Sequence, residues 1–371
     1  MNRSAIQNIK EDLHSALTHI GNLEQCALLN YPNHLNIGDH LIWLGSILYL
    51  IDVLKTQINY VASPNNFSAE VMEKQVGKAP ILIQGGGSLG DMWSDRQKFH
   101  EHIVSKYQDR KIIFLPQTIY FKSEDRLKQT KELLNSHGNL ILFVRDNYSH
   151  ELALKNFSKC QIIKAPDMAF QMVDMPELIY QNSPGDKILF LNREDKELNR
   201  QFTSDSIDIP NLVIDDWVSF HKKWKLGKPD SPRIQYAAKL YRGIWQRGLL
   251  TPGEWIHRQK WLSHQYKIHN LDKLHNPSMH RLSFSLMHSG IYQFTKYRFI
   301  VTNRLHGHIL CLLLGIPHIF LPNSYYKNQA FYETWTHQVP FCRFVKDTSH
   351  IQQAIQELAS MNTSQQMKIS G

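Results

Sequence analysis

No stretch of this 371-residue chain is both long and uniformly apolar. The best candidates are Leu41 to Leu54, which contains Asp52, and Ile309 to Leu321, which is broken by Pro317. Both fall short of the ~20 residues that a spanning helix needs, so no membrane span is expected. Nor is a signal peptide: Ile6, Ile9, Leu13, Leu17 and Ile20 recur around Glu11 and Asp12, the pattern of an amphipathic surface helix. Cysteine is scarce. Cys26, Cys160, Cys311 and Cys342 lie far apart in apolar runs, with no CxxC pair or Cys/His spacing that suggests zinc. They read as reduced core residues, and no metal is expected; His306 and His308 are too close on one turn to form a convincing pair. Internal repeats, low-complexity tracts, a GxGxxG fingerprint and a Walker lysine are also missing. The expectation is a cytoplasmic globular protein.

Basic residues and tryptophan are present in excess. The formal net charge is +9 and the pI is near 9.2, which implies an anionic partner. Much of the excess falls between His221 and Lys273, where Lys222, Lys223, Lys225, Lys228, Arg233, Lys239, Arg242 and Arg247 mix with Trp224, Trp245, Trp255 and Trp261. Indole and cationic side chains suit an anionic membrane surface. They would also suit single-stranded nucleic acid. A solvated basic face over buried tryptophans gives the same pattern.

The chain is longer than one core usually grows, so two domains are the default. Continuous apolar runs at Gln25–Asn30, Pro80–Gln84, Lys111–Leu115 and Leu140–Val144 alternate with helical spacings. Buried strands separated by helices predict an α/β chain with a parallel sheet covered on both faces. Pro176 to Asp186 marks a boundary, and Lys187 to Leu191 opens a second such unit. Two Rossmann-like domains facing a cleft are expected, over 1–175 and 187–350. The second holds a basic helical insertion at about 217–275, and 351–371 forms a C-terminal helix and a frayed tail from Asn362.

Polar groups recur where these strands give way to helices, the place where open α/β sheets bind ligands. Thr302-Asn303-Arg304-Leu305-His306-Gly307-His308 joins the strand at Tyr297 to the helix closed by Gly315. A helix N-terminus favours an anion, Arg304 offers a planar fork, and His306 offers a proton near neutral pH. Asp39, in Asn36-Ile37-Gly38-Asp39-His40, is either a helix N-cap or a base for a sugar hydroxyl. Gly85-Gly86-Gly87-Ser88-Leu89-Gly90 is either a ligand-approaching loop or a tight turn. Gln117 follows a strand stopped by Pro116. Arg145 is a second anion ligand or half of a salt bridge, with Asp146 or Asn147 capping the next helix. Ser324 and Lys327 share the loop after the last strand.

Taken in order, these motifs resemble the polysaccharide pyruvyl transferases over most of the chain. The resemblance rests on Asn36-x-Gly38-Asp39-x-x-Ile42-Trp43, Gly85-Gly86-Gly87-Ser88, Pro116-Gln117-Thr118-Ile119 and Arg145-Asp146-x-x-Ser149. It continues through Pro166-Asp167-Met168-Ala169-Phe170, Arg304-Leu305-His306-Gly307, Asn323-Ser324-Tyr325-Tyr326-Lys327-Asn328 and Phe331-Tyr332-x-Thr334-Trp335. It implies a GT-B-like fold and transfer of a pyruvyl group from phosphoenolpyruvate to a sugar of a surface-polysaccharide or exopolysaccharide precursor, as a ketal. Phosphoenolpyruvate is then a co-substrate and no cofactor is needed. Under this reading His306, Arg304 and Asp39 are catalytic, and Arg145, Arg304, Leu305, His306, Ser324 and Lys327 bind the donor. Asn36, Gly38, Gly86, Gly87, Ser88, Gln117 and Asp167 line the acceptor side or cleft. The acceptor is expected to be lipid-linked, the enzyme to touch the inner face of an anionic membrane peripherally, and nucleic acid not to be a partner. Two alternatives remain open at this point: a GT-B-type glycosyltransferase using a nucleotide sugar, and a non-enzymatic basic module that binds nucleic acid or membrane.

Overall fold

A computed structural model describes residues 3–369, except 174, 176, 177, 179–184, 194, 203–206, 208, 218–231 and 264–269. Lys222, Lys223, Lys225, Lys228 and most of the expected boundary at 176–186 therefore lie outside the described residues.

The apolar runs form two sheets in which every recorded pairing is parallel. The first contains β1 (Gln25–Leu29), β2 (Gln57–Ala62), β3 (Ile81–Ile83), β4 (Gly86–Gly90), β5 (Ile112–Tyr120), β6 (Leu140–Val144) and β7 (Gln161–Lys164). Its order is β2-β1-β3-β5-β6-β7, with β4 on β5. The second contains β8 (Gly185–Leu191), β9 (Leu212–Asp215), β10 (Tyr297–Thr302), β11 (His318–Phe320) and β12 (Cys342–Phe344), in the order β12-β11-β10-β8-β9. Parallel strands need helical crossovers, which bury both sheet faces and explain why the strands read as unbroken apolar runs.

Strand residues alternate between cores as the two-residue period requires. Cys26 and Leu28 of β1 join the largest core while Ala27 and Leu29 face a separate one. Leu189 and Leu191 of β8 enter that same largest core, whereas Ile188 and Phe190 face a third. The two sheets are thus joined through one apolar core. The helix Ile37–Leu48 runs through it, packed against Met168–Met172 and the helices Pro277–Phe294 and Leu305–Leu314. Gly45 makes this approach possible, because a Cβ there would lie 2.0 Å from the Met168 carbonyl oxygen.

Three local expectations are corrected. The glycine run does not form a turn: Gly86–Gly90 is a strand, with Gly86 and Gly90 at φ +131° and +138°, conformations that favour glycine. Pro116 does not end its strand, since β5 continues to Tyr120. The β5 register with its neighbour shifts between Phe114 and Gln117, which accommodates a residue lacking an N–H. Finally, the C-terminal helix runs from Ile351 to Ile369, with no proline or glycine to stop it at Asn362.

Among the described residues no helix is long and apolar enough to cross a membrane. In the basic segment, which contains the helices Pro232–Gln246 and Pro252–Ser263, Trp217 and Trp245 are buried. The Arg258 guanidinium lies 3.9 Å from the Trp245 ring centre.

Candidate active site

The carboxyl ends of strands from both sheets bring the site together. After β1, Asn36 caps the helix Ile37–Leu48, its side chain accepting from the Gly38 N–H at 3.2 Å. Asp39 is therefore not the cap. It sits in the first turn, accepting from Asn36 Nδ2 at 3.1 Å and lying 3.2 Å from His34 Nε2. Burial pushes its carboxyl up, but His34, His306 and Arg96 outweigh this and hold it below the usual range.

At the end of β6, Arg145 is fully buried. Its Nε donates to Thr118 Oγ1 at 3.0 Å and its Nη1 pairs closely with Asp167. Asp146 is the helix N-cap, accepting from the Ser149 N–H at 2.7 Å. His306, in the first turn of the helix after β10, places Nε2 3.4 Å from Asp167 Oδ2, the oxygen that Arg145 also holds. Burial alone would raise the Asp167 carboxyl. His306, Arg145 and the Ala169 amide reverse that and keep it ionised, well below the carboxylate range. The ring of His306 fits only because Gly38 is bare, since a Cβ there would come 2.6 Å from both its Cβ and Nδ1.

Gly87 lies beside two cations. A Cβ at that position would be 3.5 Å from Arg145 Nη2 and 3.7 Å from Lys327 Nζ. Two cations from different sheets thus converge on the space a side chain would fill. Lys327 is buried at the start of the helix Lys327–Phe331 and pairs closely with Glu197, which Arg193 also binds at 2.7 Å. Burial lowers the Lys327 ammonium to about 8; Glu197 opposes this while Arg193 and Arg145 add to it. Trp335 Nε1 donates to the Arg145 carbonyl at 2.9 Å, and Asn147 N–H donates to Thr334 Oγ1 at 3.1 Å, so the segment after Lys327 braces the end of β6.

Other expected residues are placed differently. Arg304 Nε and Nη2 bind Asp216 at 2.5 and 2.6 Å as a bidentate ion pair, and its Nη1 lies 4.0 Å from Asp195, which Arg193 also binds. Leu305 is buried in the core. Ser324 is exposed and its N–H donates to the Glu197 carbonyl at 3.0 Å. Gln117 is buried and donates to the Gln84 carbonyl at 2.7 Å, while Gln84 donates to the Asp39 carbonyl at 2.7 Å. This ties the ends of β3 and β5 to the first turn after β1. Gly86 lies against Ile42, and Ser88 is half-buried on β4.

Arg193, Asp195, Glu197 and Asp216 went unnoticed in the sequence. Arg193 directly follows β8 and Asp216 follows β9, so the strand-end rule used for Arg145 would have found both. Their carboxylates matter, because each cation of the site already has an anionic partner: Asp167 for Arg145, Glu197 for Lys327 and Arg193, and Asp216 for Arg304.

These strand ends define an α/β protein that buries Arg145, Lys327 and His306 with their carboxylate partners. The polysaccharide pyruvyl transferase profile matches residues 36–325, and the chain belongs to that transferase family. It is 28% identical over 342 residues to EpsO of Bacillus subtilis, named provisionally as a pyruvyl transferase, covering 92% of this chain and 95% of that one. Pyruvyl transferase 1 of Schizosaccharomyces pombe is 25% identical over 334 residues, covering 86% and 71%. The crystal structure of a functionally uncharacterised Klebsiella pneumoniae protein superposes with a TM-score of 0.54 at 19% identity, covering 91% of this chain and 98% of that one, a likeness of fold.

Proposed function

We propose that this transferase moves the pyruvyl group of phosphoenolpyruvate onto a sugar of a surface-polysaccharide precursor, forming a ketal. The observation that carries the reading is the convergence of Arg145 Nη2 and Lys327 Nζ on bare Gly87. Phosphoenolpyruvate bears a phosphate and a carboxylate, and paired cations in a dry site recognise such groups strongly. His306 supplies the acid. Ionised Asp167 orients its ring and stabilises the imidazolium, which protonates the vinyl carbon to a methyl group. A sugar hydroxyl attacks the resulting oxocarbenium-like carbon and gives its proton to Asp39. Phosphate then leaves, taking the proton from Asp39, and a second hydroxyl closes the ketal ring and returns its proton to His306. Arg304, paired with Asp216 as Arg145 is with Asp167 and Lys327 with Glu197, adds a third cation to the donor side.

Division at about 176–186 into two Rossmann-like units of GT-B type fits this reading, with the donor at their seam and the acceptor entering beside Asn36 and Gly38. The acceptor is a lipid-linked sugar at the inner face of the membrane. Exposed Tyr236, Leu240, Leu249, Leu250 and Ile256 cluster on the two helices of the basic segment and the turn between them. Apolar tips among lysines and arginines suit contact with an anionic bilayer.

The donor half is tested by thermal shift. Phosphoenolpyruvate raises the Tm of the unmodified chain, because only a bound ligand stabilises the fold. Gly87→Val fills the space beside Arg145 and Lys327 and abolishes that rise without unfolding the protein. A rise produced by a nucleotide sugar and not by phosphoenolpyruvate would favour the glycosyltransferase alternative.

A further inference from the structure

Behind the helix that carries His306 lies a second chemical cluster, which the pyruvyl chemistry does not use. His308, His318 and Cys342 are all buried, and their ligand atoms lie within 4.8 Å of one another. His308 Nδ1 is 2.7 Å from His318 Nε2, and Cys342 Sγ is 3.6 Å from His308 Nδ1. They come from three elements, the helix Leu305–Leu314, β11 and β12, so nothing in the sequence spacing advertises them. The outer ring nitrogens are also engaged. His308 Nε2 is 3.0 Å from Thr336 Oγ1, and His318 Nδ1 is 2.8 Å from the Ile316 carbonyl. Second partners of this kind fix ring orientation and tautomer in metal-ligating histidines.

From this geometry we infer that His308, His318 and Cys342 form a structural zinc site that clamps the His306 helix to β11 and β12. Tetrahedral zinc, with Zn–N near ~2.05 Å and Zn–S near ~2.3 Å, sets N···S at about 3.6 Å and N···N at about 3.3 Å. The Cys342–His308 separation already meets the first value. The two rings need to part by only about 0.6 Å to meet the second. Cys311 is buried three residues beyond His308 on the same helix. His308, His318 and Cys342 supply two imidazoles and one thiolate, three of the four ligands of a tetrahedral site. On binding, zinc displaces the Cys342 thiol proton to solvent and takes the place of the proton shared between the two rings, with no change of oxidation state. The metal-free rival is a hydrogen-bonded chain, Thr336 to His308 to His318 to Ile316, which the same distances permit.

The full chain, expressed with zinc supplied, is analysed by elemental mass spectrometry, then stripped and reloaded with cobalt. Zinc at one equivalent per chain and a thiolate-to-cobalt absorption band are expected. Both are lost in Cys342→Ser and in His318→Gln. Thr336→Val is expected to weaken metal binding by about 10–100-fold while keeping the band. Circular dichroism identifies any variant that fails to fold, and Thr336→Val keeps the test decisive if both ligand variants do. Purification without zinc and with no cobalt band, zinc retained by a folded His318→Gln chain, or another metal in zinc's place would overturn the assignment.

Discussion

At the scale of single residues, the site works by removing side chains as much as by placing them. Gly38 leaves room for the His306 ring, and Gly87 lies beside Arg145 and Lys327. His306→Ala is expected to lower kcat by about 10²–10⁴ while donor affinity stays within a few-fold, because a general acid acts mainly in the transition state. Gly38→Ala is expected to lower kcat by about 10²-fold, because its methyl group displaces the ring from Asp167. Steady-state kinetics beside calorimetric donor titration separates the two effects, and a Gly38→Ala enzyme with unchanged kcat would detach Gly38 from His306. Lys327 provides a pH signature. Its ammonium, lowered by burial to about 8, is present below that pH and lost above it. Donor affinity should therefore fall about tenfold per pH unit above 8. The Lys327→Met profile should be flat there, and a flat profile in the unmodified chain would remove Lys327 from donor binding.

At the scale of elements, most strands could be read directly from the sequence. Cys26–Leu29, Ile81–Ile83, Leu140–Val144 and Phe299–Val301 are unbroken apolar runs because helices cover both of their faces. The strand-end rule likewise located Arg145, His306 and Lys327. What the sequence concealed was pairing across long separations. Nothing in Arg304-x-His306 reveals that the arginine turns to Asp216 while the histidine turns to Asp167. Nor does Gly85-Gly86-Gly87 reveal a strand, since glycine disfavours one and only pairing with β5 imposes it. The basic segment shows the same limit, because a membrane face and a solvated face have one composition. The exposed apolar tips offer a way to test between them. Replacing Leu249 and Leu250 with glutamate should spare reaction on a soluble glycoside and impair it on acceptor in anionic vesicles. Added salt should erode the vesicle advantage of the unmodified enzyme, as each cation near an anionic surface contributes about 1 kcal/mol. Equal activity of the two forms on vesicles would leave this face merely solvated.

At the scale of the whole molecule, buried neutral histidines couple the fold to pH. Burial lowers His40, His100 and His288 to about 3 and His280 to about 4. The unfolded chain takes up these protons near 6.5 and the folded chain does not, so the stability they contribute is full above 6.5 and is lost as pH falls toward 4. Urea midpoints measured across that window should fall steeply on the acid side, and a flat profile would mean these rings are hydrated. The two sheets share one core and bring Arg145, Lys327 and His306 together only when both are folded. The central claim is that this junction transfers pyruvate from phosphoenolpyruvate. The most direct measurement is phosphate release from phosphoenolpyruvate across a panel of lipid-linked and aryl glycosides, with mass spectrometry of the product. Release that requires an acceptor and yields a pyruvyl ketal, lost in His306→Ala, is the predicted result. Transfer of a sugar from a nucleotide donor, with no phosphate released from phosphoenolpyruvate by any acceptor, would contradict it.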